Sequence, residues 1–179
     1  MKQKLLLILM LVSFYSGVFA QGTRAIKNET IVIKEMNSFL SLSNSETSAR
    51  IANGTPAVNT NHLKDLISNV HSATYFYSGE AKTYGEQPVK LYTDLGMLNR
   101  LDSSITLKQN IEIVTVQITD SSQLNSTIDL SSLSNFPNLK FVYFISSLNT
   151  TSENIASHIV NYDKRFNIFY KIDKGDNNQ

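Results

Sequence analysis

Cysteine is absent from all 179 residues of this sequence. Its absence excludes disulfides, thiolate metal sites and a cysteine nucleophile. It also excludes a cysteine-linked lipid at an export-signal cleavage site, so we expect no lipoprotein anchor. A domain of this size without disulfides must be stabilised by its apolar core.

Concentrated positive charge is also lacking. The chain has 16 basic and 15 acidic residues, and no block of Lys and Arg stands out. This pattern excludes the electrostatic footprint of a nucleic-acid-binding protein. Beyond the N-terminal apolar run, no stretch is long enough to cross a bilayer, so we predict no stable membrane insertion after export.

The first 20 residues have the pattern of a secretory signal. Lys2 and Lys4 form a basic region, residues 5–12 form an apolar region, and Val18-Phe-Ala20 fits a cleavage site. An uncleaved anchor is the alternative, but the apolar run is short and interrupted by polar residues and glycine. We therefore predict cleavage after Ala20 and a secreted or periplasmic location.

A single exported globular domain is predicted for residues 21–179. Residues 21–30 and 173–179 are polar and predicted to be loose ends. Abundant Asn, Ser, Thr, Ile and Leu, together with the short signal, indicate a bacterial source. Whether the protein is periplasmic or extracellular, and its oligomeric state, stay open.

The strongest structural signal is the apolar run at residues 139–145. Phe141 and Tyr143 would lie on one face of a strand, and Val142 and Phe144 on the other. Apolar residues on both faces are typical of a strand that is covered on both sides.

Other elements are predicted around this strand from β-branched density, apolar periodicity and capping residues. Helix 62–70 would be capped by Thr60 or Asn61, and Asp129 would cap a short turn. Residues 43–61 and 78–88 are predicted loops. The other predicted strands are 30–34, 49–52, 73–77, 89–92, 110–118 and 166–172.

The C-terminal part has a strand, helix, strand pattern. Thr150 and Glu153 fit a capping box that starts a helix ending near Lys164, with Ile159 and Tyr162 in its buried stripe. The short return to strand 166–172 favours a right-handed crossover, which would place that strand parallel to and beside strand 139–145.

Three strands also align with each other. Residues 111–113, 139–141 and 166–168 follow one another at offsets of 28 and 27 residues, and each strand is preceded by an apolar anchor. Leu130-Ser-Ser-Leu133-Ser-Asn-Phe136-Pro-Asn-Leu139-Lys-Phe141 resembles one leucine-rich repeat.

This resemblance covers only residues 107–172, and it implies stacked right-handed βα units. The asparagine that normally follows the family's strand is missing. The alternative is an ordinary small sheet with helices packed on it. In both cases we predict an α/β fold: a single small domain with mainly parallel strands and short helices.

Catalytic patterns are absent from the sequence. There is no Gly-x-Ser-x-Gly, no glycine-rich phosphate loop and no paired carboxylates, so we predict no catalytic residue and no cofactor. His62, His71 and Asp65 are the candidates for a metal site. The histidines are nine residues apart, which is not a helical ligand spacing, so surface histidines and no metal are predicted.

Tyrosines in and beside the predicted loop 78–88 are the binding candidates. Tyr77, Tyr84 and Tyr92 each combine a rigid apolar ring with a hydrogen-bonding hydroxyl, a combination that suits binding surfaces. The alternative is that they are structural residues beside a hairpin loop.

These patterns favour an exported, non-enzymatic binding or scaffold protein with another protein as its partner. A small exported hydrolase, with a site assembled from distant residues, is the first rival. A concave pocket that joins His62 or His71 to a serine or carboxylate would favour that rival. An inhibitor or immunity-type partner of another exported protein is the second.

Overall fold

The computed structural model describes residues 31–43 and 58–175. The predicted signal, the lead-in at 21–30 and the short strand at 49–52 lie outside these residues. So do the last four residues of the predicted tail.

A seven-stranded sheet forms the centre of the fold, in the order β1-β9-β7-β5-β4-β2-β3. Neighbouring strands are parallel except β3, which is antiparallel to β2. Two short strands, β6 and β8, form a separate parallel pair. The strands are β1 (Ile33–Glu35), β2 (Ala73–Tyr77), β3 (Glu80–Tyr84), β4 (Lys90–Asp94), β5 (Ile113–Ile118), β6 (Ile128–Asp129), β7 (Phe141–Ser146), β8 (Ile159–Val160) and β9 (Asn167–Ile172). The predicted α/β domain with a mainly parallel sheet is confirmed.

Short helices connect these strands. The α-helices are α1 (Met36–Ser43), α2 (Thr60–Ser68), α3 (Leu101–Ser104), α4 (Ser121–Leu124) and α5 (Ser152–His158). Turns of 3-10 helix span Leu95–Arg100, Lys108–Asn110 and Ser131–Leu133. Helix α2 is capped by Asn59, one residue before Thr60 and two before Asn61, the predicted alternatives, because the Asn59 Oδ1 accepts the His62 N–H at 3.1 Å. Helix α1 was not predicted.

Both faces of β7 are covered, as predicted. Val142 and Phe144 belong to the larger apolar cluster, which packs beneath the segments that connect the strands. Phe141 and Tyr143 belong to a smaller cluster on the opposite face, beneath α1 and α2. The apolar residues on each face of this strand therefore reflect two separate layers of cover.

Strand β9 lies parallel to β7, which confirms the predicted pairing. The predicted helix between them was too long, however. Helix α5 ends at His158, and Ile159 continues in β8, where it pairs with Ile128. The N-cap is Thr151 rather than Thr150, since the Thr151 Oγ1 accepts the Asn154 N–H at 3.2 Å.

Parallel strands β2, β4, β5, β7 and β9 lie side by side in chain order. Ile113 pairs with Phe141, which is the predicted offset of 28 residues. Phe141 pairs with Asn167 rather than Ile168, so the second offset was wrong by one residue. Repeat-like stacking of the leucine-rich kind stays a prediction.

Candidate functional site

A tight hairpin carries the tyrosines that the sequence singled out. Ser78 and Gly79 join β2 to β3 with φ values of 54° and 83°, the left-handed conformation that a two-residue type I′ turn requires. The predicted loop at 78–88 was therefore partly wrong, because it contains β3. The Ser-Gly pair between two short strands was the overlooked hairpin signal.

Four tyrosines from three strands share one face of the sheet. Tyr75 is in register with Tyr92 on β4, and Tyr77 is two residues beyond Tyr75. Tyr84, on β3, lies opposite Ala73 and diagonal to Tyr75. We call Tyr75, Tyr77, Tyr84 and Tyr92 the tyrosine surface.

The rings of this surface stand up from the sheet. Tyr75 and Tyr92 are stacked with ring centroids 4.9 Å apart and planes 11° from parallel, and 4.9 Å is close to the spacing of adjacent strands. Rings lying flat on the sheet at that separation would collide. Tyr84 meets Tyr75 edge-on at 5.6 Å. The stacked faces therefore contact each other, and the outer side offers ring edges and hydroxyl groups.

One in-register row of residues is buried over its first three positions and becomes exposed over its last two. The row runs from β9 to β2 through Phe169, Tyr143, Thr115, Tyr92 and Tyr75. Helices α1 and α2 cover its first part, where Phe169 and Tyr143 are buried. Beyond that cover, Tyr92 is half-buried, Tyr75 is 39% exposed and Tyr84 on the edge strand is 62% exposed. Within residues 31–43 and 58–175, the tyrosine surface is thus the end of this sheet face that no helix covers.

The hydroxyl groups of Tyr77 and Tyr92 stay protonated at neutral pH. Burial raises the pKa of Tyr92, with a smaller contribution from Tyr75. Burial also raises the pKa of Tyr77, followed by the negative charge of Asp94. Both side chains are therefore neutral and can donate as well as accept hydrogen bonds.

A groove of about 670 Å³ lies at the start of strands β5, β7 and β9. Its lining residues are Asn59, His62, Glu112, Pro137, Asn138, Leu139, Lys140, Phe141, Arg165 and Asn167. We call it the polar groove.

One carboxylate in the polar groove contacts both a lysine and a histidine. Glu112 Oε2 accepts from Lys140 Nζ at 2.6 Å and lies 2.8 Å from His62 Nε2. Burial raises the pKa of Glu112, but the hydrogen bonds from Lys140 and His62 outweigh this effect and hold the pKa below its usual value. Glu112 is therefore ionised at neutral pH.

His62 and His71 do not come together with Asp65 as a metal site. His71 pairs with Asp65 at 3.1 Å, whereas His62 pairs with Glu112. Within residues 31–43 and 58–175, no three His, Asp or Glu side chains come together as a metal site.

Sequence reasoning missed the polar groove although a signal was present. In the aligned strands, the middle positions are Glu112, Lys140 and Asn167. The backbone N–H of Lys140 bonds to Glu112, and that of Asn167 bonds to Lys140. The polar pair Glu112 and Lys140, 28 residues apart on neighbouring strands, was thus the available signal, whereas Asn167 joins them only through the observed register.

Comparison with protein-family models, curated proteins and solved structures finds no match to this chain. Among the described residues, every helix is too short or too polar to cross a membrane.

Proposed function

We propose that this chain is an exported, non-enzymatic binding protein that contacts another protein through the tyrosine surface. The observation that carries this proposal is the stacked tyrosine array on the uncovered end of the sheet. Elsewhere on the same face, equivalent positions are covered by α1 and α2. Aromatic side chains left uncovered in this way are typical of interaction sites.

The orientation of the rings favours a protein partner over a sugar or a nucleic acid. Sugars and bases stack on free aromatic faces, but Tyr75 and Tyr92 each use one face in their own stack, and Tyr84 packs at a right angle to Tyr75. Ring edges and neutral hydroxyls instead suit the mixed apolar and polar surface of a protein, as in tyrosine-rich antibody loops. The balanced charge of the chain also disfavours nucleic acid.

The edge strand favours a folded partner that docks on the face rather than an added strand. The outer edge of β3 has no partner strand among the described residues. Glu80 and Lys82 are exposed on this strand and share the face with Tyr84. Charged residues on an edge strand disfavour strand addition, whereas they fit the polar rim of a face-docking interface.

Paired variants test this proposal. Tyr75→Ser and Tyr84→Ser remove exposed rings without emptying the core, so the melting temperature should change little. Complexes recovered from the medium or periplasm should be lost with these variants and kept with Asn125→Ser, an exposed position outside the sheet. The recovered partner, once purified, should bind the tyrosine variants at least tenfold more weakly, since buried tyrosines are common binding hot spots. Unchanged affinity would contradict the proposal.

An inhibitor or immunity-type role is a special case of this proposal. In that case the recovered partner would be an exported toxin or enzyme. Its activity should fall when the intact chain is added and recover with the Tyr84→Ser variant.

A small exported hydrolase remains the second candidate, because the polar groove joins His62 to the Glu112 carboxylate. No serine or threonine is among the lining residues, so water would have to be the nucleophile, activated by this pair. Release of 4-nitrophenol from a panel of esters and glycosides, lost with His62→Ala, would support this candidate. No release with any member of the panel would reject it for those substrate classes.

A further inference from the structure

The polar groove combines positive charge with a helix N-terminus. Asn59 and His62, at the N-terminal end of α2, form one part of its lining. Lys140 and Arg165 are half-exposed and contribute cations from the strand side, where Lys140 pairs with Glu112 and Arg165 with Asp163. Lysine has three N–H donors and arginine five, so both cations keep donors that these pairs do not use. The positive end of the α2 dipole adds to this preference for an anionic acceptor.

An unpaired buried oxygen provides an independent indication of a ligand. Asn167 is only 5% exposed, and its Oδ1 has no hydrogen-bond partner in the described structure. Buried polar atoms are almost always paired, because an unpaired one retains its full desolvation cost. Asn167 lines the polar groove, so a ligand there can supply the missing donor.

We propose that the polar groove binds a small hydroxylated carboxylate, such as a sugar acid. A ligand hydroxyl would donate to Asn167 Oδ1, and the ligand carboxylate would accept from Lys140 and Arg165. Glu112 and the asparagines would pair with the remaining hydroxyls. A ligand with the carboxylate alone leaves Asn167 unpaired, and one with hydroxyls alone forgoes the charge-assisted hydrogen bonds to Lys140 and Arg165.

This site is separate from the tyrosine surface. The polar groove lies at the start of strands β5, β7 and β9, whereas the tyrosines lie on β2, β3 and β4. Protein binding at the tyrosine surface and ligand binding in the polar groove can therefore be tested independently. Tyr84→Ser should leave ligand binding in the groove unchanged.

Titration with D-glucuronate, followed by amide NMR shifts of the exported chain, tests the proposal. D-glucose tests the need for the carboxylate, and acetate tests the need for hydroxyls. Saturable shifts should be centred on the polar groove, with a Kd of about 1 mM, an ordinary affinity for so small a ligand. Glucose and acetate should each bind at least tenfold more weakly.

Two variants test which side chains contact glucuronate. The Lys140 side chain is half-exposed, so the Lys140→Gln variant should fold normally. It should bind glucuronate about tenfold or more weakly than the parent. Asn167→Leu should equal or exceed the parent in melting temperature, because it removes an unpaired buried oxygen, and yet it should lose binding. Lys108→Gln, which breaks an ion pair with Asp102 outside the groove, is the matched control.

Three results would overturn the proposal. The first is the absence of saturable shifts at about 50 mM glucuronate, well above the expected Kd. The second is equal binding of acetate and glucuronate, which would indicate a general anion site. The third is unchanged glucuronate affinity of the Lys140→Gln variant. This result decides the question even if the Asn167→Leu variant fails to fold.

Discussion

Replacing Phe144 or Phe141 by alanine tests the two layers of cover on β7. Phe144 is 0% exposed and Phe141 is 2% exposed, and they face opposite sides of the sheet. Truncation of a buried phenylalanine loses its transfer free energy and leaves a cavity, at a combined cost of roughly 3–5 kcal/mol. We expect each variant to lose stability within this range.

The structure also ranks the two variants. Phe144 packs in the larger cluster, among strands and connecting segments that hydrogen bonds hold in place. Phe141 packs beneath α2, with the His62 ring 6.3 Å away, and this helix is held on the sheet by side-chain hydrogen bonds rather than by a backbone ladder. A helix can settle into a cavity more easily than a sheet can. We therefore expect Phe144→Ala near the top of the range and Phe141→Ala near the bottom.

Urea unfolding followed by circular dichroism measures these losses. The melting temperature should also fall, by roughly 6–20 °C, for a domain of this size. Tyr84→Ala is the control, because its side chain is mostly exposed and the change should cost less than about 1 kcal/mol. If either phenylalanine variant matches this control, that face of β7 is open to solvent and the doubly covered sheet is refuted.

Three further predictions concern export, the C-terminal strand and pH. Intact mass of the exported protein should begin at Gln21, and a species that retains Met1 would contradict cleavage after Ala20. Truncation after Lys164 removes β9 from between β1 and β7, so that protein should be insoluble or unfolded, whereas removal of residues 175–179 should leave the melt unchanged. Because the pKa of folded Glu112 is depressed, its stabilising contribution is present above the unfolded pKa and lost as pH falls through the folded value. The stability difference between the parent and Glu112→Gln should therefore shrink from about pH 5 to about pH 3 in urea titrations; a constant difference would refute this ion-pair effect.

Much of the sheet was predictable because its strands carry strong local signals. Strand 73–77 has the predicted bounds, and β7 and β9 begin within two residues of their predicted starts. The apolar residues at successive positions of β7 also indicated that both faces of this strand are covered. These signals are local, since they depend on side-chain type along a single strand.

Register and the polar groove were harder to predict because they depend on contacts between distant segments. Ile168 was placed beside Phe141, but a shift of one residue puts Asn167 there and turns Ile168 to the other face. That shift brings the unpaired Asn167 oxygen into the groove lining. His62 and Glu112 are 50 residues apart, and no local pattern indicates their pairing.

The tyrosines were identified correctly as neighbours, but the stacking of their rings was not predicted. Tyr77 and Tyr92 were predicted at the ends of strands that border the loop, as observed, whereas Tyr84 was predicted in the loop and lies on β3. Tyr75 completes the stack with Tyr92 through parallel pairing of β2 and β4. Strand order is not encoded in either segment alone, so the stacked array required the structure.

Site-specific photocrosslinking tests the proposed protein contact most directly. A photoreactive phenylalanine at position 84 keeps an aromatic ring on the tyrosine surface, and the same residue at position 125 is an exposed control. Irradiation of the exported protein in its native host should give one discrete crosslinked partner from position 84 and none from position 125, and Tyr75→Ser should abolish that product. Equal crosslinking from both positions, or a product that Tyr75→Ser leaves unchanged, would contradict the tyrosine surface as the binding site.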